Sequence, residues 1–110
     1  MQSVVQSQPL LYSVFAEDPD LNAIVEQFVE EMPARAASIL NSLQSEDWEG
    51  LRRATRQMRG AADSFGFAPL GPYAGEVEEA VAESRPEEDI RAAVEQLLAM
   101  CHSVRPGTPA

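Results

Sequence analysis

The sequence predicts an all-α fold, an antiparallel up-down four-helix bundle with a kinked first helix and a short N-terminal extension. Apolar residues recur at helical spacing in four separate segments, and no segment shows the alternation typical of a β-strand. The connections between the segments are short, which favours antiparallel neighbours. A length of 110 residues suits a single domain, 1–110. We expect residues 1–11 to be a loose N-terminus and residues 104–110 to be a tail.

The first helix is predicted to start at Asp18-Pro19-Asp20, which offers an N-cap, a proline at the first helical position and an acid in the first turn. The apolar cluster before it, residues 10–15, is expected to fold as a short turn over one end of the bundle. Pro33 removes a backbone donor, so we expect one long kinked helix or two nearly continuous ones, ending near Gln44. The predicted buried face is Leu21, Ile24, Val25, Phe28, Met32, Ala36, Ile39, Leu40 and Leu43.

The second helix follows a tight connection at Ser45-Glu46-Asp47 and is predicted to run to about Phe65. Gly66 stands where a left-handed residue commonly ends a helix. Its apolar side is predicted to bury against other helices. That side consists of Leu51, Ala54, Thr55, Met58, Ala61, Ala62 and Phe65.

Two further helices are predicted from start signals at Ala68-Pro69 and at Ser84 to Glu88. The third should bury Leu70, Tyr73, Ala74, Val77 and Val81. The fourth should bury Ile90, Ala93, Val94, Leu97 and Cys101. The glutamates of the third helix, among them Glu78, are interpreted as its solvated face.

The composition restricts the classes of function. The formal net charge is −10 and lysine is absent, yet residues 51–67 hold four arginines and one aspartate. A local basic stripe on an acidic body favours an acidic or phosphorylated partner over nucleic acid, which requires a broad positive field. One cysteine allows no internal disulfide, and neither a signal peptide nor a membrane-spanning run is evident. We therefore expect a cytoplasmic protein without nucleic-acid or membrane partners.

The polar side of the second helix carries the main functional signal. It presents Arg52, Arg53, Arg56, Arg59, Gly60 and Asp63. A glycine inside a helix costs about 1 kcal/mol relative to alanine. Its place among charged residues indicates that another molecule approaches the backbone there.

This helix also carries a motif that can be compared with a known family. The motif reads Arg56, Gln57, Met58, Arg59, Gly60, Ala61 and Ala62, closed by Gly66. It resembles the signature of histidine-containing phosphotransfer (Hpt) domains, and the segment 28–35, FVEEMPAR, is similar to another part of the family. The resemblance extends over roughly residues 12–103. At the position of the family's phosphoacceptor histidine, this chain has Arg56.

The resemblance implies a phosphorelay module that docks a receiver domain of a response regulator or hybrid kinase without transferring phosphate. A guanidinium keeps its proton and has no lone pair to attack phosphorus, so histidine phosphotransfer at Arg56 is excluded. His102 is far in sequence from this motif, so we do not expect it to replace the histidine. Thr55 and Ser64 are not expected to replace it either, because a hydroxyl is a poor nucleophile without a neighbouring base. We expect no catalytic residue, cofactor or metal. The predicted partner-binding residues are Arg52, Arg53, Arg56, Gln57, Arg59, Gly60 and Asp63.

Other interpretations of the same residues stay open. The polar side could be a solvated helix face held by the i,i+4 pairs Glu49–Arg53 and Arg59–Asp63. The bundle could be a structural or dimerising protein with no role in phosphorelay. A phosphotransferase with an unrecognised acceptor is the enzymatic alternative, although the chain offers no evident pair of nucleophile and base.

Overall fold

Four α-helices make up most of residues 10–108, the part of the chain that the computed structural model describes. They are α1 (Asn22–Gln44), α2 (Trp48–Ser64), α3 (Leu70–Ala82) and α4 (Glu87–Cys101). Two short strands, β1 (Leu11–Tyr12) and β2 (Val104–Arg105), flank them. The predicted all-α class and helical bundle are thereby confirmed.

Each helix packs against its neighbours in sequence, and α4 also packs against α1. One apolar stripe per helix meets in a common core, as the helical spacing predicts. The largest fully buried side chains are Phe28, Phe67, Ile39, Leu43, Leu51, Met58, Leu70 and Leu97. The alternation of helix direction in an up-down bundle stays a prediction.

The first helix begins later than the sequence predicts. Asp18 forms a turn ahead of it: its side chain accepts from the backbone N–H of Asp20, and its carbonyl accepts from the N–H groups of Leu21 and Asn22. From Asn22 the helix continues through Pro33 to Gln44. A single helix, rather than two, therefore spans this segment, and Pro33 is exposed within it. The kink stays a prediction.

The second helix ends as predicted, at a glycine. Gly66 has φ +84°, and the N–H of Phe67 donates to the carbonyl of Ala62 at 2.7 Å. A β-carbon at Gly66 would overlap the hydroxyl of Ser13, and it would lie 2.9 Å from Cδ2 of Phe15. The segment after β1 therefore lies directly over this end of α2, and glycine is required there by both backbone conformation and space.

The predictions for the two ends of the chain need correction. Leu11 pairs with Val104 and Tyr12 with Arg105 in a two-stranded parallel sheet, although the sequence predicts no strand. Val104 is buried, so the C-terminal tail does not begin at residue 104. A strand of two residues is too short to show alternation, which explains why the pattern misses it. Residues 1–9 of the predicted loose N-terminus and residues 109–110 of the tail lie outside the described part.

Candidate functional site

The polar side of α2 is set in place by its N-cap and by its buried face. The side chain of Asp47 caps the helix by accepting from the N–H of Gly50 at 3.0 Å. The buried residues are Leu51, Thr55, Met58 and Ala62. The hydroxyl of Thr55 donates to the carbonyls of Leu51 and Arg52 and is fully buried, so it is not available to a partner.

Two arginines of α2 bind one carboxylate of α3. Nε of Arg56 lies 2.9 Å from Oε2 of Glu78, and Nη2 of Arg59 lies 2.9 Å from Oε1. Each guanidinium thus takes a different oxygen of the same side chain. Charge-assisted bonds of this length are the stronger class of hydrogen bond in proteins.

The carboxylate lies deeper than the arginines that bind it. The Glu78 side chain is 15% exposed, whereas those of Arg56 and Arg59 are 56% and 51% exposed. The hydrogen bond from Arg56 lowers the pKa of Glu78, and the positive charges of Arg59 and Arg56 act in the same direction. Partial burial acts in the opposite direction, and the net effect of the three influences is a lowered pKa.

The backbone near these arginines is partly open. A β-carbon added at Gly60 would meet no atom within 4 Å, so this position faces free space. On α3, a β-carbon at Gly75 would lie 3.6 Å from Cδ of Arg59, which shows that the stem of this arginine crosses α3 there. Arg59 therefore reaches from α2 to α3 across the seam between the two helices. Gly60 has no side chain, so the outer surface of α2 is open to another molecule at that position.

The other predicted partner-binding residues lie on the same surface but make fewer contacts. Arg52 is half-buried and approaches Glu49 at 3.8 Å. Arg53, Gln57 and Asp63 are exposed. The alternative of a solvated helix face relies on the pairs Glu49–Arg53 and Arg59–Asp63, and neither pair is formed within residues 10–108.

The remaining candidate nucleophiles lie at the ends of helices. His102 is exposed at the C-terminal cap of α4, and Ser64 is exposed at the end of α2. Cys101 is buried, and burial raises the pKa of its thiol to about 11. Residues 10–108 hold no group of three or more potential metal ligands.

Sequence reasoning missed the contribution of α3 to this surface. The pattern of α3 predicts only that Glu78 is solvated, and it assigns no role to Gly75. A weak signal was present, because Gly75 and Glu78 are three residues apart and therefore lie on one face of α3. That face could not be matched to the arginines before the packing of α2 on α3 was known.

Comparison with known proteins decides the family. A family model described as Hpt domain matches residues 23–107. The chain belongs to the Hpt domain family. Hpt domains are phosphotransfer modules of phosphorelay signalling that interact with kinases and with receiver domains of response regulators. Membership implies that this Hpt domain takes part in phosphorelay signalling.

The two other comparisons add no relative. No curated protein and no solved structure matches this Hpt domain. In residues 10–108, no helix combines the length and the apolar character needed to span a bilayer.

Proposed function

We propose that this Hpt domain binds a receiver domain of a response regulator or hybrid kinase through the polar side of α2, without transferring phosphate. Arg56 takes the position of the phosphoacceptor histidine, and a guanidinium has no lone pair with which to attack phosphorus. The chain's single histidine, His102, is at the end of a different helix. A cytoplasmic location is part of the proposal.

The observation that carries the proposal is the exposed pair of guanidinium groups beside Gly60. Arg56 and Arg59 keep about half of their side-chain surface exposed although both bind Glu78. A guanidinium has five N–H donors, and the bonds to Glu78 occupy one from each arginine. The free donors suit carboxylate or phosphoryl oxygens, which are the acceptors that arginine binds best. Gly60 leaves clearance for a docking surface.

Two consequences of docking are compatible with this arrangement. The domain could compete with a phosphate-transferring Hpt domain for the same receiver. It could instead cover a phosphorylated receiver and slow the loss of its phosphate. In both cases the arginines would speed association at low ionic strength, because opposite charges steer the encounter.

The test is a binding measurement with receiver domains from the same cell, with and without a phosphoryl mimic, at low and high salt. The expected result is salt-sensitive binding that Arg56→Ala and Gly60→Gln each weaken by about tenfold or more. Gly60→Gln should fold normally because nothing lies within 4 Å of that position. Arg91→Ala is the matched control, since it removes an exposed arginine of α4 that pairs only with Glu87 among the described residues.

Two results would count against the proposal. Binding that Arg91→Ala weakens as much as Arg56→Ala would indicate a general charge effect. Failure of every receiver to bind would leave the bundle without a docking role at α2, and the structural or dimerising alternative would then be the one to pursue.

A further inference from the structure

Arg56 and Arg59 are both positively charged, and both contact the negatively charged side chain of Glu78. The arginines are three residues apart on α2 and therefore project from neighbouring positions of one helix face. Without an anion between them they would repel each other and sample many rotamers. Glu78 gives each guanidinium one oxygen at 2.9 Å, which fixes both groups relative to α3.

The depth of the three side chains distinguishes two roles for Glu78. A carboxylate that competes with an incoming anion would lie on the outer side of the guanidinium groups. Glu78 is instead the least exposed of the three, at 15%, and its arginines are more than half exposed. The carboxylate is therefore the inner group of the contact, and both arginines keep about half of their side-chain surface open to a partner.

We propose that Glu78 is a positioning residue, which holds Arg56 and Arg59 so that their outer N–H groups form one site for a receiver's oxyanion. The oxyanion is either a carboxylate of the receiver or a phosphoryl group attached to the receiver. This inference rests on the proposed docking function. It adds a residue on α3 to a surface otherwise built from α2.

Positioning and simple charge predict effects of opposite sign. If charge alone governed binding, Glu78→Gln would strengthen the binding of an acidic receiver, since the substitution removes a negative charge. If Glu78 positions the arginines, the same substitution weakens binding, because two long side chains must then be ordered when the partner arrives. The ordering cost of two such side chains corresponds to about a tenfold loss of affinity.

The experiment compares the dissociation constants of the wild-type chain, Glu78→Gln, Glu78→Asp and Glu95→Gln for one receiver, with and without a phosphoryl mimic. Glu95→Gln removes an exposed acid of α4 that forms no ion pair among residues 10–108 and so controls for net charge. The expected order is a loss of about tenfold for Glu78→Gln, a partial rescue by Glu78→Asp and little change for Glu95→Gln. Equal or tighter binding by Glu78→Gln would overturn the inference. The comparison with and without the phosphoryl mimic shows whether the bound oxyanion is a phosphoryl group or a carboxylate.

A double-mutant cycle separates positioning from direct contact with the partner. If Glu78 acts through its two arginines, Glu78→Gln has no further effect in a variant that already carries Arg56→Ala and Arg59→Ala. An undiminished loss in that background would show that Glu78 acts by another route and would overturn the inference.

A measurement on the protein without a receiver tests the positioning role of Glu78 separately from the proposed docking function. The Nε–H signal of Arg56 in an NMR spectrum should be sharp in the wild type and broadened in Glu78→Gln. Inorganic phosphate should shift that signal at lower concentration in the wild type. If no receiver binds but this difference is present, the docking function fails and the positioning role stands. Identical phosphate titrations of the two proteins would overturn the positioning role.

Discussion

Glu78 is the carboxylate that both Arg56 and Arg59 contact at the α2–α3 seam. Its pKa is lowered from 4.5, first by the hydrogen bond from Arg56 and then by the charges of both arginines. A lowered pKa in the folded state means that the unfolded state binds the proton more readily. The contribution of Glu78 to stability is therefore complete above about pH 4.5 and is lost as the pH falls through the folded pKa.

The free energy of unfolding of the wild type should consequently exceed that of Glu78→Gln at neutral pH, and the difference should shrink below about pH 4.5. Urea denaturation followed by circular dichroism over a series of pH values measures it. Glu95→Gln provides the baseline for removing one acid. A difference that is constant into the acidic range would contradict the stabilising role of the ionised carboxylate.

The sequence could place the arginines but not their counter-ion. The exposed side of α2 follows from helical spacing alone, and Arg53, Arg56, Gln57, Arg59 and Gly60 are exposed as that spacing predicts. The bond from Arg56 to Glu78 joins residues 22 positions apart, on different helices. Spacing rules cover pairs within a helix, so they favoured Arg59–Asp63, and tertiary packing provided a better partner.

At the level of helices, three of the four C-termini end with the same backbone arrangement. In α1, α2 and α3, the C-cap residue is followed by a residue with positive φ. The N–H of the residue after that one donates to a carbonyl in the last turn of the same helix. These residues are Glu46 (φ 56°), Gly66 (φ 84°) and Ser84 (φ 54°). Only the second is a glycine, so the ends of α1 and α3 carry conformational strain.

Replacing Glu46 with glycine should stabilise the protein by about 0.5 kcal/mol, because relief of the left-handed conformation exceeds the entropy that glycine adds to the unfolded chain. The melting temperature and urea midpoint measure the change. Ser45→Gly is the matched control: its φ of −84° needs no glycine, so that substitution should destabilise. Equal effects at the two neighbouring positions would show that the strain at Glu46 is negligible.

The first helix illustrates where a periodic pattern loses accuracy. Its buried residues form a narrow stripe, and the helical spacing predicts that Ile24 and Leu40 belong to it. They are 42% and 39% exposed. At 3.6 residues per turn, each lies roughly 80° from the centre of that stripe, on opposite sides. Neighbouring helices cover only the middle of the stripe, so apolar residues at its margins stay in contact with solvent.

Across the whole molecule, the two end segments are joined to each other and to the bundle. The N–H of Leu11 donates to the carbonyl of Ser103 at 2.8 Å, and Val104 is 4% exposed within the core. The serine at position 13 donates to the carbonyl of Phe65 at 2.6 Å. The segments before α1 and after α4 are therefore part of the packed domain, together with the four helices.

Val104→Ala should lower the free energy of unfolding by about 2 kcal/mol, since it removes buried apolar surface and leaves a small cavity. Val14→Ala is the matched control, because that valine is 79% exposed and its loss should matter little. Chemical denaturation of both variants gives the comparison. Similar values for the two would show that the C-terminal strand adds little to stability.

Most of the architecture could be predicted because four amphipathic helices leave few ways to bury their apolar stripes. The family, the four helices, the glycine that ends α2 and the exposed basic surface all follow from residues close together in sequence. The strand pair and the carboxylate of α3 depend on residues far apart in the chain, and no local pattern encodes them.

The parallel direction of β1 and β2 has a mechanical consequence. In such a pair, the chain enters the first strand and leaves the second at opposite ends of the pairing. Tension applied between residues 10 and 106 would pull the two strands past each other in shear, instead of opening their contacts one at a time. A stretching force would therefore have to separate the two paired strands before it acted on the helices.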